Sequence, residues 1–159
     1  MGTVSRQKLS ASLEDYLEAI FNLGQESEGA RSKDVAEMLG VARSSVTGAM
    51  QALSEKGLAN YRPYGCITLT KSGQATAAEV ARKHTILKSF FISVLGVDKA
   101  MAQKAACRAE HALGPEIIGR LLSFIEYVTE SSKNGHDVAE EFRRFHKKHA
   151  ARRVETAKS

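Results

Sequence analysis

The chain contains no tryptophan, only two prolines and two cysteines, and aromatic residues make up 6% of its 159 residues. Two lone cysteines far apart, Cys66 and Cys107, do not resemble the disulfide framework of a small secreted domain, which favours a reducing compartment. No apolar run approaches the ~18 residues of a membrane span. The polar start at residues 1–8 lacks the apolar stretch of a signal peptide. We therefore expect a cytoplasmic protein that does not associate with membranes.

Overall composition says less about function. A hydrophobic fraction of 43% is enough for the core of one domain or two small ones. The net charge of +5 is compatible with nucleic-acid binding, although many basic proteins bind none. The functional class of the protein therefore has to be inferred from the order of its sequence motifs.

Residues 1–72 follow the pattern of a winged helix-turn-helix domain. Apolar residues at helical spacing predict a first helix capped by Ser12, a second capped by Ser32, and a third over residues 43–56. Two short strands, 58–62 and 66–70, are then predicted around the turn Pro63-Tyr64-Gly65. The alternative is a small helical domain with a surface hairpin that binds nothing.

The third helix has two different faces. Val46, Met50 and Leu53 form its expected buried stripe. Small and hydrogen-bonding side chains lie opposite and suit a helix that enters a major groove. These candidate DNA-binding residues are Arg43, Ser44, Ser45, Thr47 and Gln51. With Arg62 near the hairpin tip as a phosphate contact, they predict binding to double-stranded DNA, at a palindromic operator if the protein is a dimer.

Residues 73–159 are predicted to be helical throughout. We expect a long helix over 74–95, a second helix capped by Asp98 and running to about Leu113, a third that begins at Pro115, and a last one from Asp137. The third carries a broad apolar stripe, suited to a homodimer interface, at Ile118, Leu121, Leu122, Ile125 and Val128. The predicted fold is therefore mostly α, an N-terminal winged helix-turn-helix with a C-terminal helical dimerisation domain.

Six residues of metal-ligand type occur in three predicted helices. Cys107, Glu110 and His111 fall at i, i+3 and i+4, so one helix can direct all three at one point. Asp15 and Glu18 are one helical turn apart. His84 lies on an apolar face, where a lone histidine is more often an ordinary core residue, just as Cys107 can be a small core side chain. Taken together, the six predict a metal site that joins the two domains.

The stretch from Ser12 to about Val128 resembles the diphtheria toxin repressor and manganese transport regulator family of metal-activated repressors. The matching segments are Glu14-Asp15-Tyr16-Leu17-Glu18, Arg43-Ser44-Ser45-Val46-Thr47, Leu69-Thr70-Lys71-Ser72-Gly73, Arg82-Lys83-His84 and Ala106-Cys107-Arg108-Ala109-Glu110-His111. The resemblance implies a homodimeric repressor whose helical second domain binds metal and dimerises.

The resemblance also implies which residues bind the metal. The positions that match ligands of the manganese branch are Asp15, Glu18, His84, Glu110 and His111. Cys107 instead matches the iron branch, and Lys88 stands where that branch has an acidic ligand of a second site. A site of carboxylates and imidazoles suits Fe(II) or Mn(II), a thiolate favours iron, and Zn(II), Co(II) or Ni(II) can substitute.

These expectations describe a repressor that senses Fe(II) or Mn(II) and controls metal homeostasis genes, and not an enzyme. Two alternatives stay open at this point. One is a metal-independent winged-helix regulator that binds an organic ligand. The other is a metallohydrolase, although the chain has no His-Glu-x-x-His helix or evident general base. The sequence assigns no role to His136, His146 and His149.

Overall fold

The structure is a computed structural model that describes residues 9–25, 29–63 and 65–156, with the backbone alone for 151–156. The chain divides into two compact units, Met1–Ala81 and Arg82–Ser159. This division falls inside a helix, and the domain boundary expected after residue 72 stays a prediction. No helix within the described part is long and apolar enough to cross a membrane.

Helix α1 spans Ala11–Gly24 in the first unit. Its N-cap is Ser10, whose hydroxyl accepts a hydrogen bond from the Leu13 N–H at 3.3 Å. The expected cap, Ser12, is wrong, because the helix begins two residues earlier than a Ser12 cap requires and Ser12 lies in its first turn. Two serines at this spacing offer the same local signal, and packing of the helix decides between them.

Helices α2 and α3 form the helix-turn-helix. Helix α2 spans Ser32–Leu39, and its N-cap is Arg31, without a side-chain cap, instead of the expected Ser32. Gly40 has φ +66°, which only glycine adopts easily, and it turns the chain into α3, Arg43–Glu55. Within α3 the predicted stripe is confirmed, since Val46, Met50 and Leu53 are all fully buried.

A short hairpin follows α3. Strands β1, Ala59–Asn60, and β2, Thr68–Leu69, pair antiparallel, and a bridge between Ala30 and Ile67 extends the pairing. Both strands are shorter than the predicted 58–62 and 66–70. The Gly65 N–H donates to the Arg62 carbonyl at 3.0 Å, so the turn already begins at Arg62. Tyr64 of the predicted turn lies outside the described residues.

Helix α4, Lys71–Ser89, starts in the first unit. A Cβ built on Gly73 would lie 1.8 Å from the carbonyl oxygen of Leu58. Thr70 supports the same close approach, because its hydroxyl donates to the Gly57 carbonyl at 2.7 Å and accepts from the Gly73 N–H at 3.1 Å. Only glycine allows the start of α4 to pack this tightly against the hairpin.

The second unit contains the rest of α4 and three more helices. The helix predicted over 74–95 is wrong in part, since the α-helix ends at Ser89 and a π-helical segment, Phe90–Val94, follows. Helix α5 spans Lys99–Ala109, α6 spans Pro115–Lys133 and α7 spans Val138–Thr156.

Two predicted helix starts are confirmed. The Asp98 carboxylate accepts hydrogen bonds from the backbone N–H groups of Ala100 and Met101, both at 3.0 Å, and caps α5. Pro115 begins α6 at the first position, where its missing N–H costs nothing. The last helix begins at Val138, and Asp137 accepts from the Glu140 N–H.

Candidate metal centre and DNA-recognition face

The end of α5 presents three of the predicted ligands. The helix ends at Ala109, earlier than the expected Leu113. Glu110 is its C-cap residue and keeps helical angles of φ −59° and ψ −33°, so Cys107 and Glu110 stay one turn apart on one side. His111 follows directly. Cys107 and Glu110 therefore keep the predicted helical spacing, although the regular helix is shorter than expected.

These residues meet His84 of α4 within the second unit. His84 Nδ1 lies 2.6 Å from Glu110 Oε2 and 3.8 Å from Cys107 Sγ. His111 Nε2 lies 3.4 Å from Glu110 Oε1. The second unit thus brings together two imidazoles, a thiol and a carboxylate, which are the common ligand types of first-row transition metals.

Glu110 is the centre of this group. Its side chain is 0% exposed, against 11% for His84 and 12% for His111. Glu110 Oε1 is, among the described residues, the buried side-chain polar atom without a hydrogen-bond partner. A buried carboxylate is costly unless it is paired or coordinates a metal. A divalent cation fits this donor set and would satisfy the orphaned oxygen.

Cys107 lies at the outer side of the group. It is exposed, although Ala105, Ala106 and Ala109 lie nearby in the sequence, so it is not a small core side chain. Gln103 Nε2 lies 3.9 Å from its sulfur. Gln103 is not among the predicted site residues, although its position one turn before Cys107 on the same helix face could have indicated it.

Asp15 and Glu18 belong to the first unit. Both lie on α1, partly buried and one helical turn apart, as the sequence predicts for residues at this spacing. Within that unit they can therefore offer two carboxylates in the same direction.

The predicted DNA-binding side chains lie on the exposed side of α3. All five of these side chains are exposed: Arg43, Ser44, Ser45, Thr47 and Gln51. The Thr47 hydroxyl donates to the Arg43 carbonyl at 3.2 Å, so it is partly engaged by its own helix. No side chain caps the N-terminus of α3, where the cap residue is Ala42. An uncapped N-terminus leaves a positive helix end for a phosphate.

Arg62 is exposed at the start of the hairpin turn. The hairpin below it is held by the backbone pairing and by the Asn60 side chain, which donates to the Thr68 hydroxyl at 3.3 Å. The hairpin therefore presents a cation in the same unit as α3.

Comparisons with known proteins assign the two halves separately. Residues 8–67 match the iron dependent repressor N-terminal DNA binding domain, and residues 70–137 match the iron dependent repressor metal binding and dimerisation domain. The chain belongs to the diphtheria toxin repressor and manganese transport regulator family. It is therefore a metal-dependent transcriptional repressor with DNA-binding and dimerisation domains, and not an enzyme.

Individual relatives agree with this assignment. The chain is 39% identical over 119 residues to an uncharacterised HTH-type transcriptional regulator of Methanocaldococcus jannaschii, covering 74% of this chain and 95% of the relative. It is 33% identical over 129 residues to the HTH-type transcriptional regulator MntR of Shouchella clausii, covering 81% and 90%.

A solved structure of a manganese-dependent transcriptional repressor in complex with manganese has the same fold, with a TM-score of 0.64 at 28% identity. The match covers 72% of this chain and 53% of the other, so this chain spans about half the length of that repressor. The family assignment leaves no support for a hydrolase or for a metal-independent regulator.

Proposed function

We propose that this protein is a cytoplasmic repressor that binds Fe(II) or Mn(II) as co-repressor and then binds a palindromic operator in front of metal homeostasis genes. Six residues are the proposed ligands, Asp15, Glu18, His84, Cys107, Glu110 and His111. The observation that carries the proposal is the buried Glu110 carboxylate, whose Oε1 has no hydrogen-bond partner among the described residues.

A bound divalent cation supplies the positive charge that a buried carboxylate needs. His84 Nδ1 and Glu110 Oε2 contact each other at 2.6 Å. His84, Cys107 and His111 would supply nitrogen and sulfur ligands to a cation, and Glu110 would supply its carboxylate. The cation would then offset the charge of the buried Glu110 side chain.

Asp15 and Glu18 are proposed as further ligands on the grounds of the family resemblance and their spacing in α1. Their role explains how metal controls DNA binding, because they belong to the DNA-binding domain and the other four ligands to the dimerisation domain. Half-sites on B-DNA recur at ~34–36 Å, so a dimer with loosely held DNA-binding domains loses register. A coupling of ~1–3 kcal/mol is enough to change operator affinity about 5- to 150-fold.

Arg43, Ser44, Ser45, Thr47, Gln51 and Arg62 are the proposed DNA contacts. The exposure of the first five on one side of α3 and the uncapped N-terminus of that helix support this assignment. We assign Gln51 to a base edge, Ser45 to a phosphate near the helix start, and Arg62 to the backbone beside the groove.

Cys107 supports iron over manganese as the physiological metal. Its thiolate is a softer ligand than the carboxylates and imidazoles around it. Replacing Cys107 with Glu should therefore shift activation toward Mn(II), and replacing it with Ser should weaken activation by both metals. Anaerobic DNA-binding titrations with each metal measure the ratio. An Fe(II) to Mn(II) ratio unchanged in Cys107→Glu contradicts a direct Cys107–metal bond.

The decisive experiment is an anaerobic metal titration of operator binding at fixed salt, with a chelator as the zero point. Glu110→Gln keeps the shape of the side chain and removes its charge, so it should raise the metal concentration for half-maximal binding at least tenfold. Glu126→Gln, at an exposed position on α6, is the matched control and should behave like the wild type. Equal operator affinity with metal and with chelator refutes the proposal.

A further inference from the structure

Most of the net positive charge of this chain lies outside its DNA-binding domain. Residues 1–72 contain eight Lys or Arg and eight Asp or Glu, and residues 73–137 contain eight and seven. Residues 138–159 contain seven and three, so they hold four of the five net positive charges. This segment also lies beyond both matched family domains, which end at residues 67 and 137.

Helix α7 carries most of this segment, and its first turn is anchored in the second unit. Ala139 is buried with Val94 and Val128, and Val138 packs beside them. Arg143 donates through Nη1 to the Ser93 carbonyl at 3.0 Å. Beyond this anchor, every residue from 144 to 150 is exposed. The helix therefore has a fixed base and, within the described protein, no covered face along its basic part.

The cations of α7 differ in how they are paired. Glu140 accepts hydrogen bonds from Arg143 and Arg144, and these two contacts hold the pKa of Glu140 below its usual value, so this carboxylate stays ionised and offsets part of their charge. Lys147 and Lys148 lie one turn further on, and the structure describes no ion pair for them. Their ammonium groups remain available to an anionic partner.

We propose that α7 binds the phosphate backbone of DNA, independently of base sequence, and adds electrostatic attraction to a DNA-binding domain that has no net charge. Sequence-independent affinity comes from Lys and Arg that displace counterions, and a run of basic residues without acids is typical of such contacts. Residues 142–153 contain six basic side chains and no acidic one. The proposal rests on the DNA binding of the family and not on the metal ligands, so the two can fail separately.

The test uses full-length protein and a duplex of scrambled sequence, with binding measured across a series of salt concentrations. Lys147→Gln/Lys148→Gln should weaken binding several-fold and make the slope of log affinity against log salt shallower by about one to two units. Lys99→Gln/Lys133→Gln removes the same charge from exposed positions on α5 and α6 and should keep the wild-type slope. Metal binding, measured by calorimetry, should be the same in both variants.

Two results overturn the proposal. The first is a wild-type slope in Lys147→Gln/Lys148→Gln. The second is an equal change in both double variants, which would mean that net charge acts without a contact. Phe145 is 60% exposed and gives the basic helix an apolar side, so binding of both double variants to phosphatidylserine vesicles is measured as well. If Lys147→Gln/Lys148→Gln keeps the wild-type DNA slope but loses vesicle binding, α7 is a membrane-surface helix instead.

Discussion

The two units of this protein bury their apolar residues in different ways. Among the described residues, the first unit has one cluster of fifteen buried residues, to which all three N-terminal helices and the hairpin contribute. The second unit has two small clusters of four and three. It also exposes more large apolar side chains, including Ile117, Phe124 and Tyr127 on α6. The first unit completes its core alone, and the second leaves apolar surface uncovered.

This difference matches the work of the two domains in the family. A DNA-binding domain needs a rigid scaffold so that one helix keeps its exposed polar face in position. A dimerisation domain needs apolar surface for a second copy, because an isologous interface buries the same patch on both subunits. The second unit also contains the buried Glu110 carboxylate, and burial of its charge is a further energetic cost to that unit.

The largest expected effect is in the first unit. Gly73→Ala should destabilise the protein by ~3 kcal/mol or more, because the new Cβ would meet the Leu58 carbonyl at 1.8 Å and backbone has to move. Gly48→Ala is the matched control in the middle of α3, where nothing lies within 4 Å, and should stabilise by ~0.5–1 kcal/mol. Urea unfolding measures both. Equal stabilities would contradict the tight packing of α4 on the hairpin.

Much of the first unit could be predicted from the sequence because its signals are local. The stripe of Val46, Met50 and Leu53 depends only on helical periodicity, and all three are buried. The choice of Ser10 over Ser12 as N-cap could not be predicted, since both offer a hydroxyl and tertiary packing decides where the first turn starts. Both strands were predicted too long, because local sequence does not determine where backbone pairing ends.

In the second unit, the features that could not be predicted from the sequence are those that depend on packing. The π-helical segment Phe90–Val94 packs against α5, α6 and α7, and its apolar residues fit an α-helical pattern equally well, so its i→i+5 bonding was not predicted. For the candidate metal centre, spacing predicted that Cys107, Glu110 and His111 lie together. The 2.6 Å contact between His84 and Glu110, and the unsatisfied Glu110 Oε1, required the three-dimensional structure.

The next prediction tests whether the exposed face of the first unit serves DNA. Gln51→Ala should weaken operator binding by ~1–3 kcal/mol and leave scrambled DNA unaffected, because a base contact is lost. Ser45→Ala should weaken both DNAs alike, since a phosphate contact carries no sequence information. Competition between operator and scrambled duplexes separates the two. If neither variant differs from the wild type, α3 is not the recognition helix.

The corresponding test in the second unit concerns its apolar surface. Phe124 is 43% exposed and contacts Phe90 edge-on at 6.2 Å between ring centroids. Phe124→Ser should raise the dissociation constant of the homodimer about tenfold, which is ~1.4 kcal/mol. Met38→Ser, at a position 50% exposed in the first unit, is the control and should leave the dimer unchanged. Sedimentation at several concentrations gives both constants, and an unchanged dimer in Phe124→Ser assigns the interface elsewhere.

The smallest effect concerns a single cation on the rigid first unit. Arg62 is exposed at the hairpin turn, and the pairing of Asn60 with Thr68 holds the hairpin beneath it. Arg62→Gln should make the salt slope of DNA affinity shallower by about one unit and weaken operator and scrambled DNA equally. Lys133→Gln removes one charge from the second unit and should leave the slope unchanged. A loss limited to the operator would instead mean that Arg62 contacts a base edge, so that the hairpin contributes to specificity as well as to affinity.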